Sequence, residues 1–186
     1  MRIYTRRGDG GDTGLAEGGR RPKWDPRVEA LGALDELNCH LGLVHLHSVD
    51  ADLDRLLQGL QEDLFALGAE LASPSTPRLT GERVAALEAE IDRLEASLPP
   101  LRGFVLPGGG AAAAHCHLAR AVCRRAERRL FRLARDERLN SASLKYLNRL
   151  SDLLFVLARH LNRHAGRSET LWGPGAAVPR QTWGSR

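Results

Sequence analysis

From Pro26 to Ala165 the chain is a succession of helix-period segments divided by breakers, with no strand-period alternation long enough to build a sheet. Leu, Ala, Arg and Glu crowd this stretch, and these residues lose little freedom on entering a helix. Aromatics make up only 5% of the 186 residues, which leaves little material for strands. Asp25-Pro26 supplies an N-cap and then the residue best suited to the first helical position, so a first helix is expected to about Val49. Asp50 and Asp52 open a second, running to about Ala72. The two prolines between Ser73 and Leu79 break the chain, Thr80 can cap a third helix to about Ser97, and Pro99-Pro100 end it. A long fourth helix follows Gly108-Gly109-Gly110, and Asn140-Ser141 divide it from a fifth that reaches about Ala165. The expected fold is all-α, one five-helix bundle over residues 25–166. Residues 1–24 are loop-like, and the tail 167–186, with Gly173, Pro174, Gly175 and Pro179, reads as irregular.

This length supports one well-packed core and forces no second domain. The net charge of +4 is modest, so the placement of the arginines carries more information than their number. Cys39, Cys116 and Cys123 form no CxxC pair and suggest reduced thiols rather than a disulfide framework. The polar, Gly-rich start does not resemble a signal peptide, and no apolar run is long enough to span a membrane. A soluble, cytoplasmic protein is expected.

The fourth helix is the informative one. Arg120, Arg124, Glu127 and Arg128 share a face, with Phe131 beside them, while His115, Ala119, Val122, Ala126, Leu130 and Leu133 line the opposite side. A solvated basic face is the plain alternative. Against it, the arginines have only Glu127 among them to offset their repulsion. The fifth helix also carries a polar stripe, Asn148, Ser151 and Asp152, inside an apolar sequence. Buried polar groups need partners, and arginines of the fourth helix are expected to supply them. Guanidinium forks suit phosphate oxygens. The loop Thr5-Arg6-Arg7-Gly8-Asp9-Gly10-Gly11-Asp12-Thr13-Gly14 offers backbone N–H groups and hydroxyls to an anion, although it is not a Walker A loop. Asp35 and Asn38 lie one turn apart on the first helix, either on the surface or, for Asp35, facing an arginine. His115-Cys116-His117 and the pair His160/His164 lack the spacing of a protein-ligated metal.

Taken together, these segments resemble the PduO-type ATP:cob(I)alamin adenosyltransferases, the corrinoid adenosyltransferases. The likeness runs from Ile3 to about Trp172. Thr5 to Thr13 matches the opening motif T-[KR]-x-G-D-x-G-x-T. Lys23, Arg27 to Gly32 and Leu34-Asp35-Glu36-Leu37-Asn38 match the next block. Phe104 to Gly109 is similar to F-x-L-P-G-G, Arg120 to Arg128 to the arginine helix, and Leu147 to Asp152 with Phe155 to the last motif. Arg6 stands where lysine is common, and Gly110 where serine is frequent.

The resemblance implies a ferritin-like bundle assembled as a homotrimer, with residues 1–24 as an ATP-binding loop. It implies transfer of the 5′-deoxyadenosyl group of ATP to the cobalt of cob(I)alamin or a related corrinoid, with Mg²⁺ accompanying ATP. Carried over, Thr5, Arg6, Arg7, Gly8, Thr13, Gly14 and Lys23 would wrap the triphosphate. Arg124, Arg125, Glu127, Arg128 and Asn148 would hold ATP from the helices, with Arg124 and Asn148 closest to the chemistry. Asp35 would pair with Arg120 at a subunit boundary, and Phe104 and Phe155 would face the corrinoid. A reductase or a cobalamin-dependent acceptor enzyme would be a further partner, with no role for nucleic acid or membrane. The rival readings are a non-catalytic ATP-sensing bundle, a nucleic-acid-binding bundle and a purely structural one.

Overall fold

The computed structural model describes residues 2–47 and 50–173. Five helices carry the fold: α1 (Pro26–His45), α2 (Ala51–Ala72), α3 (Gly81–Glu95), α4 (Ala111–Leu133) and α5 (Ser141–His164). Their starts follow from the capping residues. The carboxylates of Asp25 and Asp50 accept from the N–H groups of Arg27 and Leu53, and the Asn140 side chain accepts from that of Ala142. Thr80 stands at the N-cap of α3, but its hydroxyl makes no capping bond. Helix α1 ends at His45 rather than near Val49, its last turn closing as Leu46 donates to the Gly42 carbonyl; the end of the expected helix, 48–49, lies outside the described residues. Helix α3 stops at Glu95, and the Ser97 hydroxyl turns back onto the Leu94 carbonyl.

Helix α4 packs against both α1 and α5, with α2 against α1 and α3 against α5. Leucines fill most of the shared core, and α4 contributes Cys116, Ala119, Val122, Cys123, Ala126, Leu130 and Leu133. The register differs from the expected one near the start of α4. His115 is half-buried and stacks on His47 at 5.5 Å, while His117 takes the core side. The two positions are two residues apart, about 200° around the helix, so only one of them can face the core.

Three charged side chains pin one end of the bundle. Arg27, nearly buried, donates to the Leu71 carbonyl and to Glu137 beyond α4. Asp63 accepts from the buried Tyr146 hydroxyl at 2.7 Å and from Arg83 at 2.9 Å. Glu70 gathers the N–H groups of Arg78 and Leu79, the Asn140 amide and the Ser143 hydroxyl. It thereby holds the proline-broken segment against the start of α5.

Two short antiparallel ribbons complete the structure: β1 (Asp12–Gly14) with β2 (Arg20–Pro22), and β3 (Phe104–Val105) with β4 (Leu171–Trp172). The sequence reading found neither, because strands of two or three residues carry no measurable alternation. Leu171 and Trp172 are thus paired rather than irregular, whereas 174–186 of the expected tail lie outside the described residues.

Burial alone would raise the Glu70 carboxyl, but the hydrogen bonds from Arg78, Ser143, Asn140 and Leu79 outweigh it and hold it below the ordinary glutamate value. A depressed folded pKa contributes stability that is complete above the unfolded value of about 4.3 and is lost as pH falls through the folded value. Glu70→Ala should lower stability at neutral pH by about 3 kcal/mol, since several buried donors lose one acceptor. Denaturant midpoints measured from neutral to acid pH should also show a shallower acid loss in Glu70→Ala than in the parent.

Candidate functional site

The arginines of α4 divide into two sets by helical phase. Arg125 and Arg129, one turn apart, turn to α1, where Arg125 pairs with Glu36 and Arg129 with Glu29 at 3.0 Å. Arg120, Arg124 and Arg128 follow the neighbouring stripe. Among the described residues, Arg124 and Arg128 have no hydrogen bond or ion pair, and the buried Nε of Arg120 has no partner. Guanidinium groups stay charged at any working pH, so this stripe is a standing positive field.

Beside the stripe, Glu127 accepts from the Asn148 amide at 3.0 Å, and the Asn148 oxygen accepts from Arg149 at 2.7 Å. Arg149 reaches on to Glu88. The Asn148 amide is therefore bonded by Glu127 of α4 rather than by an arginine of that helix. The Ser151 hydroxyl donates to the Asn148 carbonyl of its own helix. Burial pushes the Asp152 carboxyl up, against the pull of Arg149, and the charge of Glu127 adds to the rise. The residue is nevertheless exposed.

The N-terminal loop is shaped by ribbon β1–β2. Arg20 clips it by donating to the carbonyls of Arg7 and Asp12, and the Lys23 N–H donates to the Gly11 carbonyl at 2.8 Å. The Lys23 side chain lies against Gly8, and Arg6 occupies the left-handed region at φ 59°. Thr5, Arg6, Arg7 and Gly14 are exposed. The loop thus presents hydroxyls, N–H groups and cations on one surface. Among the described residues, no hydrogen bond or ion pair joins it to Arg124, Arg128 or Asn148 in the same chain. Asp35 is likewise exposed and makes no ion pair with Arg120 within the chain.

At the other end of α4, β3 presents Phe104 to solvent beside Trp172. The following turn is fixed by Asn162 on α5. Its oxygen accepts from the Gly110 N–H at 2.9 Å and its amide donates to the Gly108 carbonyl at 3.0 Å. Gly109 sits at φ 101°, where a Cβ would run into the Asn162 amide, so glycine is required on both counts. Phe155 is half-buried with its ring 6.2 Å from that of His117. Both ring nitrogens of His117 are buried without partners, and burial followed by the charge of Arg120 lowers its pKa.

The sequence model of the cobalamin adenosyltransferases matches residues 3–161. The chain belongs to the cobalamin adenosyltransferase family. A cobalamin adenosyltransferase of Cupriavidus metallidurans is 49% identical over 92% of this chain and 94% of its own length. The corrinoid adenosyltransferase PduO of Salmonella typhimurium is 47% identical over 86% of this chain, which spans 49% of that longer protein. Among solved structures, a variant of the PduO-type ATP:corrinoid adenosyltransferase from Lactobacillus reuteri complexed with cobalamin and ATP superposes with a TM-score of 0.87 at 34% identity. That match covers 92% of this chain and 96% of the other.

Within this family fold, one chain unites Arg124, Glu127, Arg128 and Asn148 on the α4–α5 face. Among the described residues, no hydrogen bond or ion pair links the loop 5–14 or Asp35 to them. Arg125 is held by Glu36 instead of pointing into the open face. A cavity of about 460 Å³ among Pro74, Pro77, Arg138 and Ser141 shares no lining residue with the arginine stripe. Sequence reasoning missed Asn162, whose only visible mark was its place in the apolar face of α5. Gly109→Ala should destabilise the turn by about 2 kcal/mol through backbone strain. Asn162→Ala should cost a similar amount by orphaning the Gly110 N–H and Gly108 carbonyl; equilibrium denaturation of both variants checks this.

Proposed function

We infer that this chain transfers the 5′-deoxyadenosyl group of ATP to the cobalt of a reduced corrinoid, releasing triphosphate. The observation that carries the reading is the unpartnered Arg124–Arg128 stripe beside the Glu127–Asn148 bond, on the residues that match the family's arginine and asparagine motifs. Cobalt(I) of the substrate is the nucleophile: a cobalt–carbon bond forms to C5′ as the C5′–oxygen bond breaks, and the electron pair leaves on triphosphate. No side-chain nucleophile or general base is needed. The protein's work is to hold C5′ in line with cobalt and to stabilise charge on the leaving group.

Arg124 and Arg128 do the second task, with Asn148 oriented by Glu127 and Arg149. Thr5, Arg6, Arg7, Gly8, Thr13, Gly14 and Lys23 wrap the phosphates. We propose a homotrimer with the site assembled between copies, a reading supported by the lack of any hydrogen bond or ion pair between loop and stripe among the described residues. In that assembly Asp35 of one subunit reaches Arg120 of the next, giving both the partner they lack here. Arg125 joins the ATP set by exchanging Glu36 for phosphate. Phe104 and Phe155 face the corrinoid and exclude water.

Among the described residues no group of three or more His, Cys, Asp or Glu could hold a metal ion. Mg²⁺ is proposed to accompany ATP on its phosphates, a setting that asks at most one or two carboxylates of the protein. No described helix is long and apolar enough to cross a membrane. We place the enzyme in the cytoplasm, where a reductase supplies the reduced corrinoid and an acceptor enzyme receives the product.

The test is incubation with ATP, Mg²⁺ and chemically reduced cobalamin, following the cobalt–carbon product by its absorption spectrum. Conversion is expected; ATP binding without conversion would favour the ATP-sensing alternative. Arg124→Ala should lower kcat/KM at least about 100-fold, the usual effect of removing one donor to a developing anion. Its thermal midpoint should stay close to the parent's, because Arg124 is exposed. Retained activity would overturn the assignment of the clamp.

A further inference from the structure

Two large aromatics, Phe104 and Trp172, are 78% and 66% exposed, yet they face each other across the register of the β3–β4 ribbon. Their rings meet edge to face, with centroids 6.3 Å apart and planes at 67°. Such a pair leaves a continuous apolar surface that a flat, apolar-faced ligand would cover. A ribbon of two residues per strand does not hold itself in water. Its placement depends on what anchors the segment before Trp172.

That anchor is Glu169. Its carboxylate receives Arg159 Nε at 2.8 Å and Nη2 at 3.3 Å, and Nη2 also donates to the Pro99 carbonyl at 2.9 Å. The Arg159 side chain is almost entirely buried. One further bond, from the Leu106 N–H to the Thr170 carbonyl at 2.8 Å, ties the strap to the chain after β3. Otherwise the strap borders open space. A cavity of about 280 Å³ beside Pro100 and Leu101 lies on one side, and one of about 250 Å³ beside Pro107 and Gly109 on another. A strap this loosely packed takes its position from its polar contacts. Buried ion pairs add little stability over apolar packing, but they do fix geometry.

We propose that Trp172 is a second aromatic of the corrinoid wall, and that Arg159–Glu169 is the positioning pair that sets its ring beside Phe104. This rests on the reading of Phe104 as corrinoid-facing. Trp172 widens the apolar surface that the corrin ring meets, and Glu169 acts only through the strap that carries Trp172.

The experiment compares the parent with Trp172→Ala, Trp172→Phe, Glu169→Gln and the double variant Glu169→Gln/Trp172→Ala. KM is measured separately for reduced cobalamin and for ATP, and cobalamin and ATP binding by equilibrium dialysis. Trp172→Ala should raise the cobalamin KM and dissociation constant about tenfold, as expected for loss of one aromatic face, with the ATP values within about twofold. Trp172→Phe should restore most of the loss. Glu169→Gln should give a smaller loss of the same selectivity, and the double variant should be no worse than Trp172→Ala alone. Equal effects on cobalamin and ATP, no effect of Trp172→Ala, or full additivity in the double variant would overturn the proposal. A parent that turns over while Trp172→Ala is indistinguishable from it refutes this inference alone. A parent that binds no cobalamin refutes the function as well.

Discussion

Helix α4 must satisfy three neighbours with one rotation, and the rest of the molecule is arranged around that constraint. One stripe of small and apolar residues, among them Ala119, Cys123 and Ala126, lets it lie in the core against both α1 and α5. A second stripe, Arg125 and Arg129, is neutralised by carboxylates of α1. The third keeps Arg124 and Arg128 open. Like charges one turn apart destabilise an isolated helix by a few tenths of a kcal/mol per pair. Core packing absorbs that cost, so the open stripe can remain uncompensated until an anion arrives.

The buried polar groups serve the same end from a distance. Arg27, Asp63 and Glu70 each join segments far apart in sequence, and each has its hydrogen-bonding capacity used by named partners. They fix how α5 begins, and therefore the phase at which Asn148 meets Glu127 two turns later. The core thiols stay out of this chemistry: burial pushes Cys116 up to about 12 and Cys123 higher still, which leaves both protonated.

The helices were legible because long periodic segments with Asp, Asn and Pro at their starts carry redundant signals. The arginine stripe was legible for the same reason, since its spacing is the helical period itself. What escaped was everything that depends on chain pairs with no local pattern. The ribbons are too short to alternate. Arg159 and Asn162 are polar residues in the apolar sequence of α5 whose partners, Glu169 and the Pro-Gly-Gly turn, lie outside that helix and show no local pattern. The core position near the start of α4 falls to His117 rather than His115, because the phase of a helix is least constrained in its first turns. The Asn148 amide meets a glutamate of α4 rather than an arginine, since charge pattern alone does not reveal which side chain has the right length.

The hairpin that precedes α1 is tied down at its turn. The Glu17 carboxylate accepts from the hydroxyls of Ser73 and Ser75, and the Glu17 N–H donates to the Ala72 carbonyl at 3.3 Å. An untethered tail of two dozen residues would lose roughly 1–2 kcal/mol of backbone entropy for every residue it ordered around a ligand. Anchored at Glu17 and paired through β1–β2, this chain has already lost most of that freedom on folding. Only the segment from Thr5 to Gly10, ahead of β1, has freedom left to lose. The fold thus sets how strongly a ligand at the loop is penalised, and it does so from a serine-rich corner that need never touch the ligand.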